Sequence, residues 1–185
     1  MSRRRRVAAT TVLMSAAVVL LTGATSTPTA GSTAVTPQPV GAVAAAETLA
    51  AGEPGTSYLP AELVAELGYR PGTQEGTQDS TQDNAGSATN PTGDCSSPVP
   101  LPESFEPACM THDLGYDLLR VAYRTGETIP EHTRAALDRQ MAAQMAASCD
   151  GATACRAVAG VAYAGVAVNT VRQHNGAPVE EWFPW

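Results

Sequence analysis

The sequence holds three histidines, His112, His132 and His174, and only His112 has neighbours that suggest chemistry. It follows Cys109 by three residues and is followed by Asp113, Leu114, Gly115 and Tyr116. In a helix, His112 and Tyr116 lie one above the other, while Asp113 projects about 100° away. One turn can then aim an imidazole at a reacting atom and a carboxylate at a nearby cation. An imidazole titrates near neutrality and takes a proton from water when placed as a general base. A carboxylate on its other ring nitrogen fixes the tautomer and favours the imidazolium that forms. A hard cation such as Ca2+ takes oxygen ligands and polarises an ester carbonyl. Such a scheme requires no Ser, Cys or Thr nucleophile. A bare His-Asp dipeptide is more often a capping pair near a helix start. His132 at an expected helix start and His174 near a helix end read as solvated or capping residues.

The elements that must position this turn are helical. The first is expected over about 108–123, with Leu114, Leu118 and Val121 at helical spacing, broken by Gly126 and Pro130. The second is expected over about 131–148, with Leu137, Met141 and Met145 on one face. The third is expected over about 152–173, with Val158, Val161 and Val166 among many alanines. A short turn joins the first two, so they should lie antiparallel. No sustained strand alternation occurs, so the fold class is all-α, a small helical domain over residues 92–185. Residues 95–107 contain Pro98, Pro100, Pro102 and Pro107 and read as a loop. Upstream, residues 58–70 read as a short helical segment opened by Pro60 and closed by Gly68. Residues 71–91, polar and Gly-punctuated, read as a low-complexity linker, and residues 25–57 as disordered or a propeptide.

Residues 1–24 have the order of a secretory signal peptide: Arg3 to Arg6, an apolar run from Val7 to Leu21, then Thr22, Gly23 and Ala24. The run is short of the ~20 residues that span a bilayer, and no other stretch is expected to cross one. The localisation this implies is secreted and extracellular. The four cysteines, Cys95, Cys109, Cys149 and Cys155, fit that compartment. Three pairings are possible; Cys95–Cys109 and Cys149–Cys155 are favoured because each closes a short loop, worth roughly 2–3 kcal/mol in the chain-entropy model. A zinc site of four thiolates lacks any CxxC pair. There is no lysine, and every acidic residue lies after the leader, so the remainder is more acidic than the net charge of −7 for the whole chain. An acidic domain repels nucleic acid and suits a cation.

The string Ala108-Cys109-Met110-Thr111-His112-Asp113-Leu114-Gly115-Tyr116 resembles the prokaryotic secreted phospholipase A2 family, marked by a Cys, two residues, then His-Asp-Phe/Leu-Gly-Tyr. The likeness covers about residues 93–172 and continues at matching spacing through Asp138, Met145 and Cys149, then Cys155 and Tyr163. The resemblance implies a phospholipase A2-like fold with two antiparallel catalytic helices. It implies Ca2+ as cofactor and a phospholipid aggregate or membrane surface as substrate, acted on by a monomer. By position, His112 corresponds to the general base and Asp138 to its orienting partner. Asp113 corresponds to a calcium ligand, Tyr116 to a support on the same turn, and Tyr163 to a hydrogen-bonding residue near the dyad. Read alone, Asp138 better fits a surface ion pair with Arg134 four residues earlier; the aligned spacing turns the balance toward the catalytic role.

The sequence departs from the family's pattern at one place. The family's other calcium-ligand Asp falls two residues before the first loop cysteine. Gly93 occupies that position here, and Asp94 adjoins Cys95. Asp94 reaches an ion only if the loop is adjusted, with backbone carbonyls supplying other ligands. The rival expectation is a non-catalytic lipid-surface or interaction domain on the same scaffold. A metal phosphohydrolase using a His-Asp metal pair would need a histidine before His112, and none exists. The terminal Glu180-Glu181-Trp182-Phe183-Pro184-Trp185 fits either a lipid interface or a tail folded back on the helices.

Overall fold

The computed structural model describes residues 41–75 and 85–179, and the expected signal peptide lies outside them. Three long helices carry the molecule: α3 (Glu106–Thr125), α4 (Glu131–Ala147) and α5 (Thr153–Arg172). They are preceded by α1 (Ala42–Ala50), α2 (Ala61–Leu67), and a two-stranded antiparallel hairpin of β1 (Gly72–Glu75) and β2 (Ala85–Thr89). A 3₁₀ turn, Glu103–Phe105, leads into α3. Pro107 stands in the first turn of α3, where its missing N–H costs nothing, so α3 begins before the expected loop ends. Gly126 closes the helix in the left-handed region (φ 78°), accepted there because it has no Cβ.

α3 and α4 are antiparallel. Phe105 and Cys109, at the start of α3, pack with Met145 and Cys149 at the end of α4, while a short turn joins the opposite ends. Gly115 lets them approach: a Cβ there would stand 2.5 Å from Leu137 Cδ2. Both favoured disulfides are present, Cys95–Cys109 tying the loop to α3 and Cys149–Cys155 tying the end of α4 to the start of α5. The described residues thus form a mainly helical, disulfide-stapled unit.

Two expectations need correction. Residues 42–50 are not disordered: Ala42, Ala45, Ala46 and Leu49 are at most 1 % exposed, packed with Leu114, Leu118 and Leu119 of α3. Glu127 caps α1, its carboxylate accepting from Ala42 N–H (2.9 Å) and Val43 N–H (3.1 Å). Gln140 Nε2 donates to Leu49 O at 2.6 Å. An alanine run has high helix propensity but no amphipathic signature, so its place in the core is set by partners far along the chain. The linker is corrected in the same way. Its two ends pair as β1 and β2 in the register Gly72↔Thr89 and Thr73↔Ala88, and Ala88 is fully buried. Residues 76–84 lie outside those described. The described residues before 92 and after it therefore belong to one compact unit. Among the described residues one helix, α5, is long and apolar enough, by length and composition alone, to cross a membrane. Its Ala, Val and Gly content with only Arg156 and Arg172 as charges produces that match; within the fold it packs on α4 through Ala159 and Val158.

Candidate functional site

His112 and Asp138, on the facing sides of α3 and α4, meet at 2.9 Å between Nε2 and Oδ1. Both are buried, at 6 % and 1 % exposure. Asp138 receives two more donors: Tyr116 Oη to Oδ1 at 2.8 Å, and Thr170 Oγ1 to Oδ2 at 2.6 Å. Both carboxylate oxygens are therefore satisfied, as a buried charge requires. Burial alone would push Asp138 up. The hydrogen bonds from His112 and Thr170, the His112 charge and the Tyr116 hydroxyl outweigh it and hold the carboxyl below the usual range. Burial and the neighbouring carboxylate push the Tyr116 hydroxyl up to about 12, so it remains a donor. The Tyr116 ring stacks against His112 with centroids 4.0 Å apart. The imidazole is thus oriented by two contacts, and Nδ1 makes no hydrogen bond to any described residue.

The expected supporting role of Tyr163 is not met. Tyr163 is half-buried on α5 and is not a hydrogen-bond partner of the dyad; Thr170, two helical turns later on α5, takes that place. Its signal in the sequence is a polar residue on the buried side of an otherwise apolar helix. The surface ion pair of Arg134 with Asp138 does not form. Arg134 is fully buried, its Nη1 donating to Gln173 Oε1 (2.8 Å) and Gly176 O (3.2 Å). Its guanidinium carbon lies 4.7 Å from the centroid of the Tyr116 ring, a cation–π contact on the face of the ring that holds Asp138.

Asp113 faces the loop that precedes Cys95. Asp94 N–H donates to Asp113 Oδ2 at 3.0 Å, the single hydrogen bond that carboxylate receives from described residues. Burial, only partly offset by that bond and by His112, pushes the Asp113 carboxyl up to about 6. The loop is held to α3 by a network that sequence reasoning missed. Asp117 accepts from Tyr69 Oη (2.7 Å), Asn90 Nδ2 (3.0 Å) and Arg120 Nη1 (2.7 Å), and Asn90 N–H donates to Met110 O at 3.0 Å. From the hairpin, Gln74 Nε2 donates to Thr111 Oγ1 at 2.8 Å, bracing the turn that carries His112. Gln74 and Asn90 lie in the segment that looked like a spacer, where composition gives no signal.

The cation expected here can be tested against the donors present. A Cβ at position 93 would lie 2.7 Å from Asp113 Oδ2. Gly93 thus lets the loop backbone approach a desolvated carboxylate closely, and a carboxylate with backbone carbonyls is the kind of hard-oxygen donor set that Ca2+ takes. Asp94 contributes less: its Oδ1 accepts from Ser96 Oγ at 3.0 Å and its N–H, a donor, faces Asp113. Among the described residues no group of three or more His, Cys, Asp or Glu side chains is gathered for a metal. Two surface grooves, one between α3 and the chain after α5 and one beside α2, do not include His112.

Comparisons with known protein families, with curated proteins and with solved structures found no match.

Proposed function

We propose that this protein is a secreted, calcium-dependent phospholipase A2 that hydrolyses the sn-2 ester of glycerophospholipids. The observation that carries the reading is the buried His112–Asp138 pair, 2.9 Å apart and closed by Tyr116 and Thr170. With Nε2 committed to Asp138, Nδ1 is the ring nitrogen left to take a proton from water. The water oxygen then bonds the ester carbonyl carbon. As the carbon–oxygen bond to the glycerol breaks, the proton passes from Nδ1 to the leaving oxygen, giving a fatty acid and a lysophospholipid. Asp138 holds the tautomer and offsets the imidazolium charge. The resemblance of residues 108–116 to the secreted phospholipase family supports the same roles. Asp113, with loop carbonyls near Gly93 and a lesser part for Asp94, would hold Ca2+, which when bound supplies polarisation of the carbonyl and compensation of the oxyanion charge. The substrate is a phospholipid aggregate or membrane surface, met by a monomer outside the cell.

The test is fatty-acid release from phospholipid vesicles, with Ca2+ and with EDTA, by the wild type and by His112→Asn. Release that needs both Ca2+ and His112 is expected; equal rates in all four conditions would sink the reading. A second reading, a non-catalytic lipid-surface or interaction domain on the same scaffold, draws support from Val161, Val168 and Val171, each more than 65 % exposed on α5, and from the Asp94 N–H turned toward Asp113. Vesicle binding without turnover selects it.

A further inference from the structure

Arg134 and Asp138 stand about one turn apart on α4, facing His112 and Tyr116, about one turn apart on α3. Of these four, Arg134 takes no part in the proton transfers described above, yet it is fully buried. Its guanidinium carbon sits 4.7 Å from the centroid of the Tyr116 ring. Its Nη1 reaches the turn after α5, donating to Gln173 Oε1 at 2.8 Å and to Gly176 O at 3.2 Å. That Oε1 also accepts from Val179 N–H at 3.1 Å, so Arg134 grips a turn that is itself tied. The terminal aromatic segment, residues 180–185, lies outside the described residues. Gln173 follows Thr170 by about one helical turn, so a hold on Gln173 is a hold on the end of α5 that carries Thr170.

As a support for the fold, Arg134 is poorly provided. Among the described residues it pairs with no carboxylate, and its Nε and Nη2 are buried without a hydrogen-bond partner. Taking a cation out of water is costly, and two neutral acceptors and a ring face offset that cost only in part. An apolar side chain of similar volume at such a site is often neutral or stabilising. What the guanidinium does touch are the supports of both oxygens of Asp138. One is Tyr116, whose hydroxyl donates to Oδ1 and whose ring lies against His112. The other is the end of α5, from which Thr170 donates to Oδ2.

We propose that Arg134 is a positioning residue of the His112–Asp138 pair. It holds the Tyr116 ring and the end of α5 so that the hydroxyls of Tyr116 and Thr170 stay on the two oxygens of Asp138. Its effect on turnover rests on the phospholipase reading above; its effect on the order of Tyr116 does not.

The experiment compares the wild type with Arg134→Met, which keeps length without charge, and with Arg134→Lys, which keeps the charge without the planar fork. Three quantities are measured: the urea midpoint, the exchange rate of the Tyr116 hydroxyl proton by NMR, and kcat and KM for fatty-acid release. The hydroxyl signal is assigned by its absence in Tyr116→Phe. Arg134→Met is expected to keep or exceed the wild-type midpoint. Its Tyr116 hydroxyl should exchange about tenfold faster, in line with loss of a desolvated cation–π contact. Its kcat should fall roughly tenfold or more with KM unchanged, as for a misplaced catalytic group. Arg134→Lys should recover part of both. A wild-type hydroxyl that already exchanges freely overturns the proposal, as does an exchange rate or a kcat that Arg134→Met leaves unchanged. Loss of stability in both variants, with exchange rising only in proportion, overturns it in favour of a merely structural role. If Arg134→Met does not fold, Arg134→Lys decides: faster exchange at an unchanged midpoint supports the proposal, and unchanged exchange overturns it. A wild type that releases no fatty acid, beside an Arg134→Met chain with a loosened Tyr116, sinks the phospholipase reading and supports the positioning role.

Discussion

The two faces of the turn carrying His112 and Asp113 are built on opposite terms. On one, His112 meets an acid whose oxygens are both satisfied, by Tyr116, Thr170 and the imidazole itself. On the other, Asp113 is half-buried and receives one backbone donor. The first carboxyl is held below its ordinary range and the second is pushed up to about 6. Burial pushes both carboxyls up, so the opposite outcomes come from the donors and charges around each. A satisfied acid orients a base, and an under-bonded one is suited to a positive guest.

Substitutions test this contrast. The largest effect is expected from His112→Asn, which should lower fatty-acid release by about 10²–10⁴-fold, the range of a lost general base, with the circular dichroism spectrum retained. Asp138→Asn should cost about 2–3 kcal/mol, because three donors lose a charged acceptor. It should also change the acid limb of stability. A carboxyl whose folded pKa is depressed contributes stability above its unfolded value of ~4, lost as pH falls through the folded value. Urea titrations from pH 3 to 7 should show the wild type losing more than the Asn variant over that window. Thr170→Val keeps shape and removes one donor; about 1 kcal/mol should be lost, and release should fall less than for Asp138→Asn. Asp113→Asn has the opposite sign. Its raised pKa means that stability is fully present below about pH 4 and lost as pH rises through about 6. Removing the charge should therefore raise stability at pH 7, by at most ~1 kcal/mol after solvent screening, while the response of activity to Ca2+ disappears. A variant less stable than wild type at pH 7 would mean that the two faces do not differ as described.

The helices and their cross-links were legible in the sequence because their signals are local. Leu114, Leu118 and Val121 repeat at helical spacing, Gly126 and Pro130 mark the stop, and short loops favoured the observed pairing of cysteines. The His112–Asp138 geometry was legible only through spacing matched to a family, since Asp138 alone reads better as a partner for Arg134. What stayed hidden is tertiary. The Ala-rich α1 carries no polar face to mark its orientation, and Gln74 and Asn90 lie in stretches whose composition is that of a spacer, yet they brace the turn of His112 and the loop of Asp94. Thr170 displaced Tyr163 because the third contact comes from whichever α5 side chain faces the α3–α4 seam, and rotation about a helix axis is not fixed by spacing along another helix.

The cap that Glu127 places on α1 joins residues 85 apart, and the bond from Gln140 to Leu49 spans 91. During synthesis, α1 therefore emerges long before the side chains that hold it. Such non-local closure slows folding and leaves the early chain without a lasting partner until α4 has been made. A polypeptide of this wiring stays threadable for most of its elongation and locks only when its later half arrives.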